Sequence, residues 1–298
     1  METSSKKIIE GYMPFMGYKT YYRIVGEGSS DKAPLVLLHG GPGSTHNYFE
    51  LFDCLADTGR QIISYDQIGC GNSYVDGHPE LWVLDTWMNE FEELRKYLGL
   101  EKIHILGQSW GGMMAIVYAT DYEPYGVKSI ILSSANPSAS LWSKELHRMI
   151  KYLPENEQQA ILEAEIKNDF SSEAYLAAND HFMQQHCAGP YSEKDPECLR
   201  RPKRSGSESY LYGWGPNEYT PSGSLGDFEY LDKMKNISVP TLITNGTDDL
   251  CSPCVAKAMF DNVPNARWEL FQGSRHMPFA DDTEHYIEIL RKWLEEHD

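Results

Sequence analysis

The sequence has no excess of basic residues. Lys and Arg number 26 against 44 Asp and Glu, which gives a net charge of −18 and a pI of about 4.9. A nucleic-acid-binding protein normally carries a basic face, so this composition argues against nucleic acid as a partner. We attribute the acidity to solubility, and a negative field that favours a cationic substrate is the alternative.

Long hydrophobic runs are also missing. No stretch reaches the roughly 18 apolar residues that a membrane-spanning helix needs. The N-terminal lysines Lys6 and Lys7 are not followed by an apolar run of signal-peptide length. We therefore expect no membrane association, no signal peptide and a cytoplasmic location.

Cysteine is scarce, with six residues in a chain of 298. A number this small in a chain of this length does not make a disulfide framework. Cys251 and Cys254 form a C-x-x-C pair, but no second cysteine or histidine pair stands at zinc spacing. We expect no metal, no cofactor and a reducing compartment.

Hydrophobic residues make up 41% of the chain, enough for a sizeable core. Short apolar runs that end at turn residues are typical of parallel strands buried on both faces. Such runs occupy residues 34–39, 61–66, 102–107, 127–133, 240–244 and 266–271. Amphipathic stretches over 85–98, 110–122 and 283–294 alternate with them, which predicts an α/β fold with a mostly parallel sheet and helices on both faces. The tyrosine-rich segment 17–25 predicts an antiparallel edge strand.

The alternation of strands and helices stops between residues 137 and 235. Helical patterns over 141–153, 155–167 and 172–186 precede a basic passage rich in Pro, Gly and Ser. We predict a core domain of residues 1–136 and 236–298, with residues 137–235 as a helical cap over the C-terminal edge of the sheet. The cluster from Arg200 to Arg204 is interpreted as a solvated segment, and a mobile lid edge is the alternative.

Residues 107–111 read G-Q-S-W-G, a G-x-S-x-G motif between a predicted strand and a predicted helix. This context is the one that a nucleophile elbow requires. The sharp turn brings neighbouring backbone close, so Gly107 and Gly111 provide positions without a clashing Cβ. Ser109 would lie at the tip, in front of a helix N-terminus that favours an oxyanion. Ser109 is therefore the candidate nucleophile.

Residues 39–43 read H-G-G-P-G, directly after another predicted strand. We interpret them as an oxyanion loop, whose small residues let a main-chain N–H approach the reacting carbonyl. Gly41 is the candidate for one donor, and the N–H of Trp110 is the candidate for the other. A phosphate-binding loop is the alternative, but no G-K-[ST] follows the glycines.

A serine nucleophile needs a base and an orienting carboxylate, in the chain order Ser, Asp, His for this architecture. Asp248 and Asp249 follow the strand at 240–244, and both are candidates for the acid. His276 follows the strand at 266–271, so it is expected at the same sheet edge and is the candidate base.

These motifs resemble those of the prolyl aminopeptidase (proline iminopeptidase) and amino-acid amidase family of α/β-hydrolases. The resemblance rests on the motifs at 39–43 and 107–112 and on D-Q-I-G-C-G-N-S at 66–73, and it covers about residues 11 to 294. It implies an α/β-hydrolase fold with an eight-stranded sheet and an inserted helical cap. The family's spacing between a glycine and a proline around the acid favours Asp249 over Asp248.

The same resemblance extends to the predicted cap, where residues 215–219 read G-P-N-E-Y. The glutamate of this family motif binds the free α-amino group of the substrate, and here it is Glu218. A semi-buried carboxylate holds such an ammonium by a charge-assisted hydrogen bond. The neighbouring Trp214 is a second substrate-binding candidate.

The sequence departs from the family at Leu250, where many prolyl aminopeptidases place a second glutamate. The resemblance implies a serine hydrolase that cleaves an amide or peptide bond after a small N-terminal residue such as proline. The substrate is then a small molecule or short peptide with a free amine. An L-amino-acid amidase is the close alternative. A hydrolase of an ester, lactone or amide of a secondary metabolite is the next, and a non-catalytic ligand-binding protein is the last. No oligomeric state is predicted.

Overall fold

The computed structural model describes residues 6–122 and 124–298, and within them the chain forms an eight-stranded sheet. The strands are β1 (Ile8–Phe15), β2 (Tyr18–Val25), β3 (Leu35–Leu38), β4 (Ile62–Tyr65), β5 (Ile103–Gln108), β6 (Val127–Ser133), β7 (Thr241–Gly246) and β8 (Ala266–Phe271). They lie in the order β1-β2-β4-β3-β5-β6-β7-β8. β1 and β2 pair antiparallel, as do β2 and β4, and all other pairs are parallel. The mostly parallel sheet expected from the sequence is confirmed.

The antiparallel part of the sheet differs from the expectation in one respect. Segment 17–25 was expected at the edge, but β2 lies between β1 and β4. The edge strand is β1, which the sequence did not predict. Its Ile8 and Ile9 are exposed whereas Met13 and Phe15 are buried, so its pattern does not show a regular apolar face.

The helices cover the faces of the sheet and the connection between β6 and β7. They are α1 (Leu84–Tyr97), α2 (Trp110–Asp121), α3 (Ala139–Ile150), α4 (Glu155–Lys167), α5 (Glu173–His186), α6 (Glu197–Arg200), α7 (Ser207–Gly213), α8 (Pro253–Asn262), α9 (Pro278–Asp281) and α10 (Thr283–Glu296). Single turns or longer stretches of 3-10 helix cover His46–Thr58, Gly71–Ser73, Pro79–Leu81 and Leu231–Asn236. In the described part of the chain, none of the helices combines the length and the apolar character needed to cross a bilayer.

The central strands are buried on both faces, and β3 shows how. Its four residues are fully buried, and successive side chains point to opposite faces of the sheet. Leu35 and Leu37 join the core beneath α10 and the 3-10 segment His46–Thr58. Val36 and Leu38 join the larger core beneath α1, α2, α3 and α8. This two-sided burial explains why the central strands read as continuous apolar runs.

The chain between β6 and β7 is described throughout, and it contains helices α3 to α7 but no strand of the sheet. Helices α3, α4 and α5 correspond to the helical patterns predicted at 141–153, 155–167 and 172–186. The only β-type pairing in this segment is an isolated bridge between Ser138 and Glu229.

The topology brings several loops to one edge of the sheet. Strand β3 lies between β4 and β5, so successive connections leave it in opposite directions. Such a reversal opens a crevice at the carboxyl ends of the strands, where ligands bind in α/β proteins. The loops that follow β3, β5, β7 and β8 carry the candidate catalytic and oxyanion residues, whereas Glu218 and Trp214 lie between β6 and β7.

Candidate active site

Ser109 occupies a strained turn between β5 and α2. Its φ of 54° and ψ of −118° lie in a region that residues with a side chain rarely adopt. A Cβ on Gly107 would lie 2.1 Å from the carbonyl oxygen of Gly111. A Cβ on Gly111 would lie 1.9 Å from the carbonyl oxygen of Leu38. The two glycines therefore permit the close backbone contacts that project Ser109 from the turn.

His276 and Asp249 form a direct, buried contact. The Nδ1 of His276 lies 2.6 Å from Oδ1 of Asp249, and the Asp249 side chain is fully buried. Three more donors fix this carboxylate: the N–H of Cys251 at 2.8 Å, the Ser134 hydroxyl at 2.6 Å and the N–H of Gly246 at 3.1 Å. A carboxylate at Nδ1 orients the imidazole so that Nε2 carries the acceptor lone pair.

The structure separates the two aspartates between which the sequence left a choice. Asp248 is exposed, and its carbonyl oxygen accepts a hydrogen bond from Nδ1 of His186 at 2.8 Å. Only Asp249 contacts His276. The geometry therefore associates Asp249 with the histidine and leaves Asp248 at the surface.

Ser109 and His276 line the same cavity, which has a volume of about 480 Å³. Trp142 packs edge-on against the His276 ring, with the centroids 5.8 Å apart. Within residues 6–122 and 124–298, no hydrogen bond involves the Ser109 hydroxyl. Contacts between nucleophile and base are often long in the absence of substrate. The structure thus brings the two residues to one cavity without joining them directly.

Of the two candidate oxyanion donors, Gly41 lines this cavity, whereas Trp110 is not among the lining residues and directly follows the lining Ser109 in the chain. Gly41 has a φ of +121°, and a Cβ there would lie 2.4 Å from the nitrogen of Gly43. Trp110 is the first residue of α2, so its N–H has no acceptor within the helix. The Trp110 indole is buried and donates to Oε1 of Gln67 at 2.8 Å. This arrangement holds the turn next to Ser109 in place from below.

Glu218 is the only carboxylate among the described residues that line the cavity. Its Oε1 accepts a hydrogen bond from the Tyr210 hydroxyl at 2.7 Å. Its carbonyl oxygen accepts bonds from the indoles of Trp142 at 3.1 Å and Trp214 at 3.2 Å. Burial raises the pKa of Glu218, although the positive charge of a protonated His276 and the Tyr210 hydrogen bond act in the opposite direction. A cation in the cavity would relieve this cost.

The structure gives Trp214 a different position from the one expected. Its ring is buried and is not part of the cavity lining, and its indole donates a hydrogen bond to the carbonyl oxygen of Glu218. Leu250, where a second glutamate is frequent in the family, is fully buried and also lies outside the lining. Glu218 therefore faces the cavity without a second carboxylate at that position.

The lining residues that sequence reasoning did not identify include Tyr210 and Lys203. Tyr210 lies on α7 and reaches Glu218, although the short helix shows no strong periodic signal. Lys203 lies in the basic cluster that was interpreted as solvated, yet it is half-buried and lines the cavity. Arg201 in the same cluster is partly exposed and pairs with Glu50 at 2.8 Å. A charge run carries no periodicity from which its buried members can be recognised.

Comparison with known proteins places this chain in a family. The family model described as alpha/beta hydrolase fold matches residues 33–283. A proline iminopeptidase from Clostridioides difficile (strain 630) is 59% identical over 292 residues, covering 98% of this chain and 100% of the relative. One from Lactobacillus helveticus is 60% identical over 294 residues, covering 98% of this chain and 99% of the relative.

Solved structures of similar proteins support the same family. Proline iminopeptidase from Mycobacterium smegmatis is 29% identical with a TM-score of 0.85, covering 97% of this chain and 98% of that one. VinJ is 31% identical with a TM-score of 0.88, covering 97% and 99%. The architecture, the motifs and these similarities lead to one conclusion. The chain belongs to the proline iminopeptidase family of α/β-hydrolases.

Proposed function

We propose that this protein is a prolyl aminopeptidase, a serine hydrolase that removes a proline residue from the free amino end of a short peptide or amide. The observation that carries the proposal is the position of Glu218, whose carboxylate lines the same cavity as Ser109 and His276. A carboxylate at this place suits a substrate that carries an ammonium group next to the scissile bond. The names of the relatives from Clostridioides difficile and Lactobacillus helveticus support proline as the residue removed.

The proposed reaction begins at Ser109. His276 accepts the hydroxyl proton at Nε2 while Oγ attacks the substrate carbonyl, and Asp249 stabilises the imidazolium through its contact with Nδ1. The N–H groups of Gly41 and Trp110 bind the oxyanion of the tetrahedral intermediate. His276 then gives the proton to the leaving amine, and an acyl-enzyme remains. Water, activated by the same histidine, releases the amino acid and restores Ser109.

Substrate selection is assigned to the chain between β6 and β7. We propose that residues 1–136 and 236–298 form the core domain and that 137–235 form a cap over it. All strands of the described sheet come from the first two ranges, whereas Glu218 and its partners Tyr210 and Trp142 come from the third. The cap would thus determine which substrates are accepted, and the core would supply the chemistry.

All six cysteines are unpaired, which supports the cytoplasmic location expected from the sequence.

The amine-binding carboxylate distinguishes the proposed substrate from esters and lactones, which carry no ammonium group at this position. An L-amino-acid amidase would use the same residues on a smaller leaving group.

The test compares a prolyl amide reporter with its N-acetyl derivative. We expect the wild-type protein to hydrolyse the free amine at least about a hundredfold faster, because acetylation removes the charge that Glu218 binds. Glu218→Gln keeps the shape but removes the negative charge, so it should lose about tenfold to a hundredfold on the free amine and little on the acetylated compound.

Ser109→Ala is the matched test of the chemistry, since it removes a single oxygen atom. Turnover should fall by more than about a thousandfold without loss of the folded state. Equal hydrolysis of the free and acetylated compounds would contradict the role of Glu218. Activity of the Ser109 variant within about tenfold of wild type would contradict the serine mechanism.

A further inference from the structure

The cavity that contains Ser109 carries side chains of both charges. Glu218 is the only carboxylate among its described lining residues, and Lys203 is the only lysine or arginine. The two come from different segments, since Lys203 lies between α6 and α7 whereas Glu218 follows α7. The proposed reaction uses the carboxylate and gives the lysine no role.

Lys203 differs from the cations on either side of it. Arg201 pairs with Glu50 at 2.8 Å and with Glu197. The guanidinium of Arg204 lies 3.4 Å from the centroid of the Tyr74 ring. In contrast, the residues that the structure describes include no carboxylate within 4.0 Å of the Lys203 ammonium. Burial lowers the pKa of Lys203, as expected for a cation that leaves water without a counter-charge.

The surroundings of Lys203 place it on the wall formed by the glycine loop. Its Nζ lies 5.3 Å from the centroid of the Tyr48 ring. The Tyr48 hydroxyl in turn accepts a hydrogen bond from the N–H of Gly40 at 2.6 Å. Glu218 instead accepts hydrogen bonds from Tyr210 at its carboxylate and from Trp142 at its carbonyl oxygen. The two charged side chains of the cavity thus have different neighbours.

A second, polar cavity of about 860 Å³ shares one described lining residue with the first, and that residue is Lys203. Three acids line the second cavity, and each has another partner. Asp66 contacts Nδ1 of His46 at 2.7 Å, and Glu50 pairs with Arg201. Glu10 accepts a hydrogen bond from the Tyr21 hydroxyl. Among the described residues, none of these three acids pairs with Lys203.

We propose that Lys203 binds the α-carboxylate of the residue released from a dipeptide, and so makes the protein selective for short peptides with a free carboxyl end. This inference rests on the proposed aminopeptidase function and extends it to the leaving group. A dipeptide is a zwitterion, and the cavity offers one side chain to each of its charges. A cavity of about 480 Å³ lies within the range of roughly 300–1,000 Å³ that is usual for small-ligand sites.

The experiment compares Pro-Gly with its amide, Pro-Gly-NH2, which differs only in the terminal charge. In Lys203→Met, KM for Pro-Gly should rise about tenfold or more, because a hydrogen bond between charged groups is lost, while kcat changes little. Hydrolysis of Pro-Gly-NH2 should stay within about twofold of wild type. Lys203→Arg keeps the charge and should retain most of the preference for the free carboxylate.

Arg204→Met is the matched control, because Arg204 is the adjacent cation and does not line the first cavity. In this variant, the ratio of kcat/KM for Pro-Gly to kcat/KM for Pro-Gly-NH2 should equal that of wild type. An unchanged ratio in Lys203→Met would overturn the inference, as would an equal loss on both substrates, which indicates a structural role. If wild type hydrolysed neither substrate nor a prolyl amide reporter, the aminopeptidase proposal itself would fail. If Lys203→Met did not fold, Lys203→Gln and Lys203→Arg would decide by the same ratio.

Discussion

The Glu218 carboxylate accepts a side-chain hydrogen bond from Tyr210 and faces a cavity that is lined mainly by uncharged residues. Burial favours its protonated form and raises its pKa, whereas binding of an ammonium requires the ionised form. Protonation of Glu218 and binding of the substrate ammonium are therefore coupled equilibria. As the pH falls through the pKa of Glu218, the form that binds the substrate amine disappears.

Tyr210→Phe tests this coupling. The Tyr210 hydroxyl stabilises the ionised carboxylate, so its removal should raise the pKa of Glu218 further. A higher pKa means that the ionised form is lost at a higher pH. We therefore expect the acidic limb of kcat/KM for a free-amine prolyl substrate to move to higher pH, with a smaller loss at alkaline pH.

The control is the acidic limb for a substrate without an amine, such as p-nitrophenyl acetate, which offers Glu218 no ammonium to bind. That limb should not move in Tyr210→Phe. An identical acidic limb for the prolyl substrate in the variant and wild type would show that Tyr210 does not control the ionisation of Glu218.

At the scale of elements, the central strands were predictable because each is buried on two faces. Four consecutive apolar residues in β3 suit that environment and few others. Strand β1 escaped prediction because it pairs only with β2 and its side chains are unevenly buried. An edge strand forms because it pairs with its neighbour. The residue pattern of β1 alone does not show this pairing.

The same distinction applies to the candidate site. Ser109, Asp249 and His276 follow strands of the sheet, and the rule that the carboxyl ends of parallel strands share an edge predicts their proximity. Tyr210 and Lys203 lie in or near short helices, where nothing periodic specifies orientation. Their place in the cavity depends on how the chain between β6 and β7 folds over the sheet, which is a tertiary property.

Helix α3 connects the Glu218 region to the sheet, and its N-terminus depends on Ser138. The Ser138 hydroxyl accepts a hydrogen bond from the N–H of Leu141 at 3.0 Å and donates one to Glu229. Ser138→Ala should therefore lower stability by about 1 kcal/mol, the usual cost of losing an N-cap. For a chain of this size the melting temperature should fall by about 2 °C in a thermal scan.

Ser138→Thr keeps a hydroxyl at the cap and serves as the control, with a melting temperature close to that of wild type. If the alanine and threonine variants melted at the same temperature, the cap would not contribute as the geometry indicates. Activity should change little in either variant, because Ser138 does not line the cavity of Ser109.

At the scale of the whole molecule, the candidate site and a charged cluster lie at opposite ends of the parallel strands. The cluster surrounds Asp298, whose carboxylate accepts hydrogen bonds from Arg60 at 2.9 Å and Lys32 at 3.0 Å. His104, near the start of β5, lies 3.4 Å from the same carboxylate. Arg60 is almost fully buried, and the Asp298 carboxylate is the counter-charge of its guanidinium. The cluster joins the segment after α10 to the amino ends of β3, β4 and β5.

Asp298→Asn tests whether this cluster stabilises the fold independently of the chemistry. Burial raises the pKa of Asp298, but hydrogen bonds from Arg60 and Lys32 outweigh it and lower the pKa to about 2. A depressed folded-state pKa gives stability that is present above the unfolded value of about 4 and is lost as the pH falls towards 2. The variant should lose about 2 kcal/mol in urea unfolding at pH 7, less than a fully buried pair because the carboxylate is partly exposed. This deficit should narrow below about pH 4, and kcat/KM should stay within about twofold because the site lies at the other ends of the strands.

The control is Glu288→Gln, which breaks an exposed pair with Lys292 on α10 and should change the free energy of unfolding little. Equal unfolding midpoints for the two variants would contradict the role of Asp298.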